Sequence, residues 1–172
     1  QIAATASDDA SGNSYAGIND TTSLNFTAAD VLGPTLSSSS PADNATGVAG
    51  GANIVLTFNE NVVLGSGNVS LYKTNGTLVE AMNVSSSAVT ASTNTVTINP
   101  TANLVTLEGY YILIDATAID DASGNSYAGI GSSSALNFTA ADSSPPTLTS
   151  TSPADNATGV AVDANIVLTF NE

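Results

Sequence analysis

The sequence predicts an all-β sandwich of about seven strands, repeated in tandem, and three observations predict it. Short runs alternate apolar with polar residues, the period of a half-buried strand. Turn-forming residues separate the runs, and no amphipathic helical window stands out, since Leu, Glu, Lys and Arg are scarce while Thr, Val, Ser and Asn abound. The sequence also returns on itself. Residues 1–60 align without a gap on residues 113–172, an offset of 112, with 45 identities in 60 positions. A fixed period is the mark of an array built from one structural unit.

The strands read off in order. Ile54, Leu56 and Phe58 alternate with Asn53, Val55 and Thr57, so the first three share one face. Val69 and Leu71 alternate with Ser70 and Tyr72, and Asn75-Gly76 before Leu78-Val79 predicts a two-residue hairpin turn. Thr93-Asn94 is the turn before the Thr95–Ile98 run. Tyr110, Ile112 and Ile114 share one parity, and Leu136 and Phe138 share another. Tyr110 is expected to pack its ring in the core and bond its hydroxyl to backbone near Leu104, rather than to form a binding spot.

Boundaries fall at Pro34 and at Pro145-Pro146, each just after Thr-Ala-Ala-Asp (Thr27–Asp30 and Thr139–Asp142). Proline lacks a backbone donor and prefers strand edges and stiff linkers. The expected division is therefore the last strands of one repeat in residues 1–32, a complete repeat in 33–142 and the first two strands of another in 143–172. Each terminal half carries apolar residues whose covering sheet it lacks: Leu24 and Phe26 at one end, Ile166, Leu168 and Phe170 at the other. A two-stranded piece is marginal in water. The halves are expected to be covered by neighbouring copies of the repeat, in the same chain or by strand complementation from another.

Composition narrows the partners. Fifteen Asp and Glu face one base, Lys73, for a net charge of −14. Nothing neutralises phosphates, so nucleic acid and an anionic membrane surface are disfavoured. One cation cannot pair fifteen anions, which leaves divalent cations as the natural counter-charge. Cysteine is absent, so no disulfide forms, and no apolar run approaches the roughly 18 residues of a membrane span. The scarcity of Lys and Arg removes almost all trypsin-type cleavage sites and suits an exposed extracellular life. His and Cys are missing, which removes the usual acid–base partner and thiol nucleophile.

Pro34-Thr35-Leu36, Ser40-Pro41-Ala42-Asp43-Asn44-Ala45-Thr46-Gly47-Val48-Ala49 and Ile54–Glu60 together resemble the opening of bacterial Ig-like domains of the S-layer type, P-x-V, S-P-x-x-G-A-x-x-V and an apolar strand ending F-x-E. Ile98-Asn99-Pro100 with Leu104 and Gly109-Tyr110, Asp121-Ala122-Ser123-Gly124-Asn125 and Leu136-Asn137-Phe138-Thr139 resemble the family's closing segments. Val105-Thr106-Leu107-Glu108 departs from it where the family has a small-residue turn, as does Gly50-Gly51 against Val162-Asp163. The resemblance implies an Ig-like sandwich found in tandem in large surface proteins and adhesins, and no enzymatic activity.

Two acidic features are candidate calcium sites. Asp121, Ser123 and Asn125, with Asp120 adjacent, have the 1-3-5 oxygen spacing of a calcium loop, but no glycine at the sixth position or glutamate at the twelfth. The cluster recurs at Asp8, Asp9, Ser11 and Asn13. The other reading is a plain turn, since Asp, Ser, Gly and Asn all favour one. Glu60, repeated as Glu172, is either a ligand beside the Asp120–Asn125 loop or a cap on that loop's free backbone donors. At the joints, Asp30 and Asp142 could share an ion and stiffen the array. The eight Asn-x-Ser/Thr matches, at Asn19, Asn25, Asn44, Asn68, Asn75, Asn83, Asn137 and Asn156, are what so Asn-, Ser- and Thr-rich a chain produces by chance, and count only if the source glycosylates surface proteins.

The expected role is structural: an extracellular bacterial spacer, adhesin or filament module whose length grows with repeat number. The alternatives are a module that binds a carbohydrate or protein, with Tyr15 and Tyr127 as the loop-like aromatics, and an accessory domain of a secreted polysaccharide-degrading enzyme.

Overall fold

A computed structural model describes all residues, Gln1–Glu172. The chain divides into two compact units, Gln1–Leu32 and Gly33–Glu172. It is all-β. No helix is long and apolar enough to cross a membrane.

In the larger unit the strands are β1 (Leu36–Ser40), β2 (Ala45–Val48), β3 (Ile54–Phe58), β4 (Val62–Leu64), β5 (Asn68–Lys73), β6 (Leu78–Asn83), β7 (Val89–Ser92), β8 (Thr95–Ile98), β9 (Gly109–Ile114), β10 (Ile119–Asp121), β11 (Asn137–Ala140), β12 (Leu148–Ser152) and β13 (Val167–Phe170). A four-stranded sheet, ordered β1-β3-β8-β7, and a five-stranded sheet, ordered β2-β11-β9-β5-β6, enclose the core. The inward parity is the one the sequence predicts. Ile54, Leu56 and Phe58 meet Val69, Leu71, Tyr110, Ile112, Leu136 and Phe138 in one buried cluster.

Eleven segments, β1 to β11, span Leu36–Ala140 where about seven strands are expected. The surplus comes from strands that break and change sheets. The turn between β1 and β2 contains a cis Ser40–Pro41 bond and left-handed Asn44 (φ 59°), so β1 joins the four-stranded sheet while β2 runs parallel to β11 in the other. After β3, the chain leaves the four-stranded sheet and β4 pairs with β10 instead.

The β5–β6 hairpin also differs from expectation. Gly76 N–H donates to Lys73 O (2.9 Å), which puts Thr74 and Asn75, rather than Asn75 and Gly76, at the centre of the turn. Only Gly76 is left-handed (φ 87°), and the register slips between Leu71 and Tyr72. A turn followed by one left-handed glycine is the alternative to the mirror-image two-residue turn, which needs two such residues.

Local geometry recurs 112 residues on. The cis Ser152–Pro153 bond and left-handed Asn156 repeat those of Ser40–Pro41 and Asn44. The β12–β13 pairing repeats β1–β3, from Leu148 opposite Phe170 to Ser152 opposite Val167, slip included. In the smaller unit, the bridges Ile2–Ile18 and Asp8–Ser14 repeat Ile114–Ile130 and Asp120–Ser126. The expected closing strand at Asn25–Phe26 does not form. Its counterpart β11 pairs with Gly109–Tyr111 of β9 and with β2, and residues 1–32 include no counterpart of those partners.

Identical residues therefore have opposite environments. Ile54, Leu56 and Phe58 are 2%, 0% and 1% exposed, while Ile166, Leu168 and Phe170 are 79%, 52% and 46% exposed. Leu136 and Phe138 are buried, while Leu24 and Phe26 are exposed.

Candidate functional site

The acidic turn begins on β10. Strand alternation points Ile119 and Asp121 inward and Asp120 outward, so the two adjacent carboxylates separate. Asp120 accepts the Ser126 hydroxyl (2.6 Å). Asp121 is 3% exposed, yet satisfied: Oδ1 accepts the backbone N–H of Ser123 and of Asn125 (both 2.8 Å) and Oδ2 accepts Asn125 Nδ2 (2.8 Å). Gly124 closes the loop in the left-handed region (φ 86°), where a β-carbon would be strained. The Asn125 side-chain bond, opposed by desolvation and helped by the backbone donors, lowers the Asp121 pKa.

The same turn forms at Asp9. Its Oδ1 accepts Ser11 and Asn13 N–H and its Oδ2 accepts Asn13 Nδ2, all at 2.9 Å, with the group exposed. Asp-x-Ser-Gly-Asn thus folds on its own carboxylate whether buried or not, through the backbone N–H of the third and fifth residues and the side-chain amide of the fifth. The loop's donors go to Asp121, not to Glu60, whose carboxylate accepts Asn59 Nδ2 at 3.5 Å. Glu60 nevertheless lies beside the loop, with a carboxylate oxygen within 4.8 Å of one of Asp121. Of the candidate ligands in residues 33–142, the fold brings these two carboxylates together. Asp120 is directed to the other side of its strand.

Lowered acid pKa values fix a pH dependence. A carboxylate stabilised in the fold contributes above its ordinary value of 3.8 and loses that contribution as pH falls through the lowered folded value. The melting temperature should fall steeply below about pH 3.8, and Asp121→Asn should flatten that limb. An unchanged limb in the variant would show that Asp121 is not its source.

Asp142 and Glu172 form a second carboxylate pair. Asp142 accepts Ser144 N–H (2.9 Å) and the Thr106 hydroxyl (3.0 Å), and both bonds lower its pKa. Glu172 is raised above its ordinary value, first by desolvation and then by the hydrogen bond and charge of Asp142. Asp30 lies in the smaller unit, where it accepts Leu32 N–H (3.1 Å).

Three features escape the sequence reading. Thr106, in the segment that departs from the expected pattern, ties the joint. Its hydroxyl faces Ala141 O (3.2 Å) and Asp142, and it accepts Ser143 N–H (3.0 Å). Asn59 holds the strand opening through Thr35 N–H (2.6 Å), as Asn171 does for Thr147 (2.6 Å). Tyr127, expected as a loop aromatic, is buried edge-to-face on Phe58 (centroids 5.2 Å), and desolvation raises its pKa. A small–polar stretch disguises it, since Ser126 and Ala128 on either side are exposed. Tyr110 does what was expected of it, accepting Val105 N–H at 2.7 Å. Lys73 pairs with Glu108 (3.0 Å) at a half-exposed position.

The bacterial Ig-like domain model matches residues 30–140 and again residues 142–172. No curated protein matches the chain. Similar solved structures include CopC from Methylosinus trichosporium OB3b, 15% identical over 65% of this chain and 97% of that chain with a TM-score of 0.42. Another is the S-layer protein rSbsC(31-844), 18% identical over 69% of this chain and 15% of that chain with a TM-score of 0.43.

Proposed function

This chain belongs to the bacterial Ig-like domain family, and on that premise we propose that it is a structural module of an extracellular bacterial surface protein, adhesin or filament, working by tandem extension. One observation carries the reading. The residues that are buried in the complete repeat recur, exposed, in residues 145–172, with the strand register already set. Such a surface is completed by the remaining strands of an identical repeat, in the same chain or donated by another. Each sandwich closes its own core, so interactions run between nearest neighbours and length grows with repeat number.

Calcium fits the same role as a stiffener of the joints. The Glu60–Asp121 and Asp142–Glu172 pairs place carboxylates close together in a chain of charge −14, where a divalent cation offsets repulsion. Binding only the folded form would add about 2.7 kcal/mol at a hundredfold excess over the dissociation constant. Calorimetry with calcium and with a chelator tests this: the melting temperature should rise with calcium. Equal melting temperatures would remove the calcium role and leave the tandem role standing.

A further inference from the structure

The eight Asn-x-Ser/Thr matches are alike in sequence and unlike in the fold. N-glycosylation needs an accessible Asn Nδ2 with the hydroxyl residue two positions on. In five of the eight, Nδ2 is engaged: Asn25 to Thr22 O (3.2 Å), Asn44 to Asp43 (2.8 Å), Asn83 to Asn68 (3.4 Å), Asn137 to Asp43 (2.9 Å) and Asn156 to Asp155 (2.9 Å). Asn68 sits half-buried within β5, with Oδ1 held by Asn83. Asn19-Asp20-Thr21 is exposed throughout, but acidic Asp20 stands between its two essential residues and takes its bonds from Thr22 and Ser23.

Asn75-Gly76-Thr77 differs from all of these. It occupies the tip of the β5–β6 hairpin, inside an exposed run from Thr74 to Leu78. Asn75 Oδ1 accepts Thr77 N–H (2.9 Å), so both essential residues are already folded on each other, while Nδ2 makes no hydrogen bond. Gly76 between them adds no side chain. The turn itself is held by Gly76 N–H to Lys73 O (2.9 Å) and Lys73 N–H to Thr77 O (2.9 Å), bonds that a substituent on Nδ2 leaves intact.

We propose that Asn75 is an N-glycosylation site. Nδ2 attacks the anomeric carbon of a sugar carried on a diphosphate. The N–C bond forms, the anomeric C–O bond breaks, the diphosphate leaves with the electron pair, and Nδ2 gives up one proton to the transferase base. The glycan would stand beside β6, which is an edge of the five-stranded sheet and carries half-exposed Leu78 at its start. A bulky hydrophilic group there protects an edge from pairing with another chain.

The test is mass spectrometry of the protein isolated from its own organism. Cleavage after Lys73, the single Lys or Arg of the chain, leaves Asn75 second from the new N-terminus. The expected result is a hexose-bearing mass at Asn75, lost in Asn75→Gln and Thr77→Ala expressed in that organism and kept in Thr77→Ser. A ladder of single-hexose steps identifies a nucleotide-linked donor, and one fixed larger increment a lipid-linked one. Unmodified Asn75, with or without sugar on another asparagine, would overturn the proposal. Circular dichroism of the variants, unchanged from the parent, separates loss of the acceptor from loss of the fold.

Discussion

Replacing Phe58 by alanine is expected to destabilise the complete repeat by about 3–5 kcal/mol, while replacing Phe170 changes stability by less than about 1 kcal/mol. The two phenylalanines occupy the same place in the repeat, and their flanking sequences, Ile54–Glu60 and Ile166–Glu172, are identical. Only the surroundings differ. Phe58 is buried against Tyr127 and the cluster built by both sheets, so truncation removes its transfer energy and leaves a cavity. Phe170 is half-exposed on a two-stranded ribbon, so little burial is lost. For a unit of this size, the Phe58 loss amounts to a melting-temperature drop on the order of 15 °C. Thermal unfolding of the two variants reads the difference directly. Equal costs would mean that burial in the complete repeat does not set the energetics.

The second large effect comes from completing the trailing half. Appending residues 61–142 of this sequence after Glu172 supplies the strands that β12 and β13 lack. Ile166, Leu168 and Phe170 should then become as protected as Ile54, Leu56 and Phe58, and Phe170→Ala should cost about 3–5 kcal/mol in the longer chain. A penalty that grows from below about 1 to several kcal/mol, with no change at residue 170 itself, isolates the effect of the covering sheet. Hydrogen exchange at Val167–Phe170 should slow in parallel, because a frayed ribbon becomes part of a cooperative unit. A Phe170→Ala variant that remains silent in the longer chain would show that the half-repeat is not a sandwich awaiting its other strands.

Much of the fold was legible because parity is local. Ile54, Leu56 and Phe58 alternate with polar or smaller neighbours, and a period of two leaves one face for the core. Tyr110 was legible for a related reason: a large ring with one polar atom buries the ring and finds that atom a donor, here Val105 N–H. The sheet changes were less legible. Whether β1 and β2 are one strand or two depends on which edge each meets, and β11, the partner of β2, lies some 90 residues away. Asn75-Gly76 was misread for the opposite reason. The dipeptide favours one turn locally, but the slipped β5–β6 register selects another.

The site divides along the same line. Asp121, Ser123 and Asn125 were visible as a cluster, and their mutual bonds span only four residues. Glu60 draws notice by its recurrence at the end of a buried strand, and its carboxylate lies within 4.8 Å of that of Asp121. The parting of Asp120 from Asp121 follows from strand alternation once β10 is recognised, but three residues are too few to reveal it in sequence. Thr106 shows in sequence only as part of a segment that departs from the family pattern, because its partners Ala141, Asp142 and Ser143 lie beyond β9 and β11 in the chain.

The most direct measurement of the tandem role is electron microscopy of chains carrying increasing numbers of the 112-residue repeat. Slender particles are expected, whose contour lengthens by one constant increment, close to a domain length, for every repeat added. Compact particles that merely thicken as repeats accumulate would contradict the tandem role.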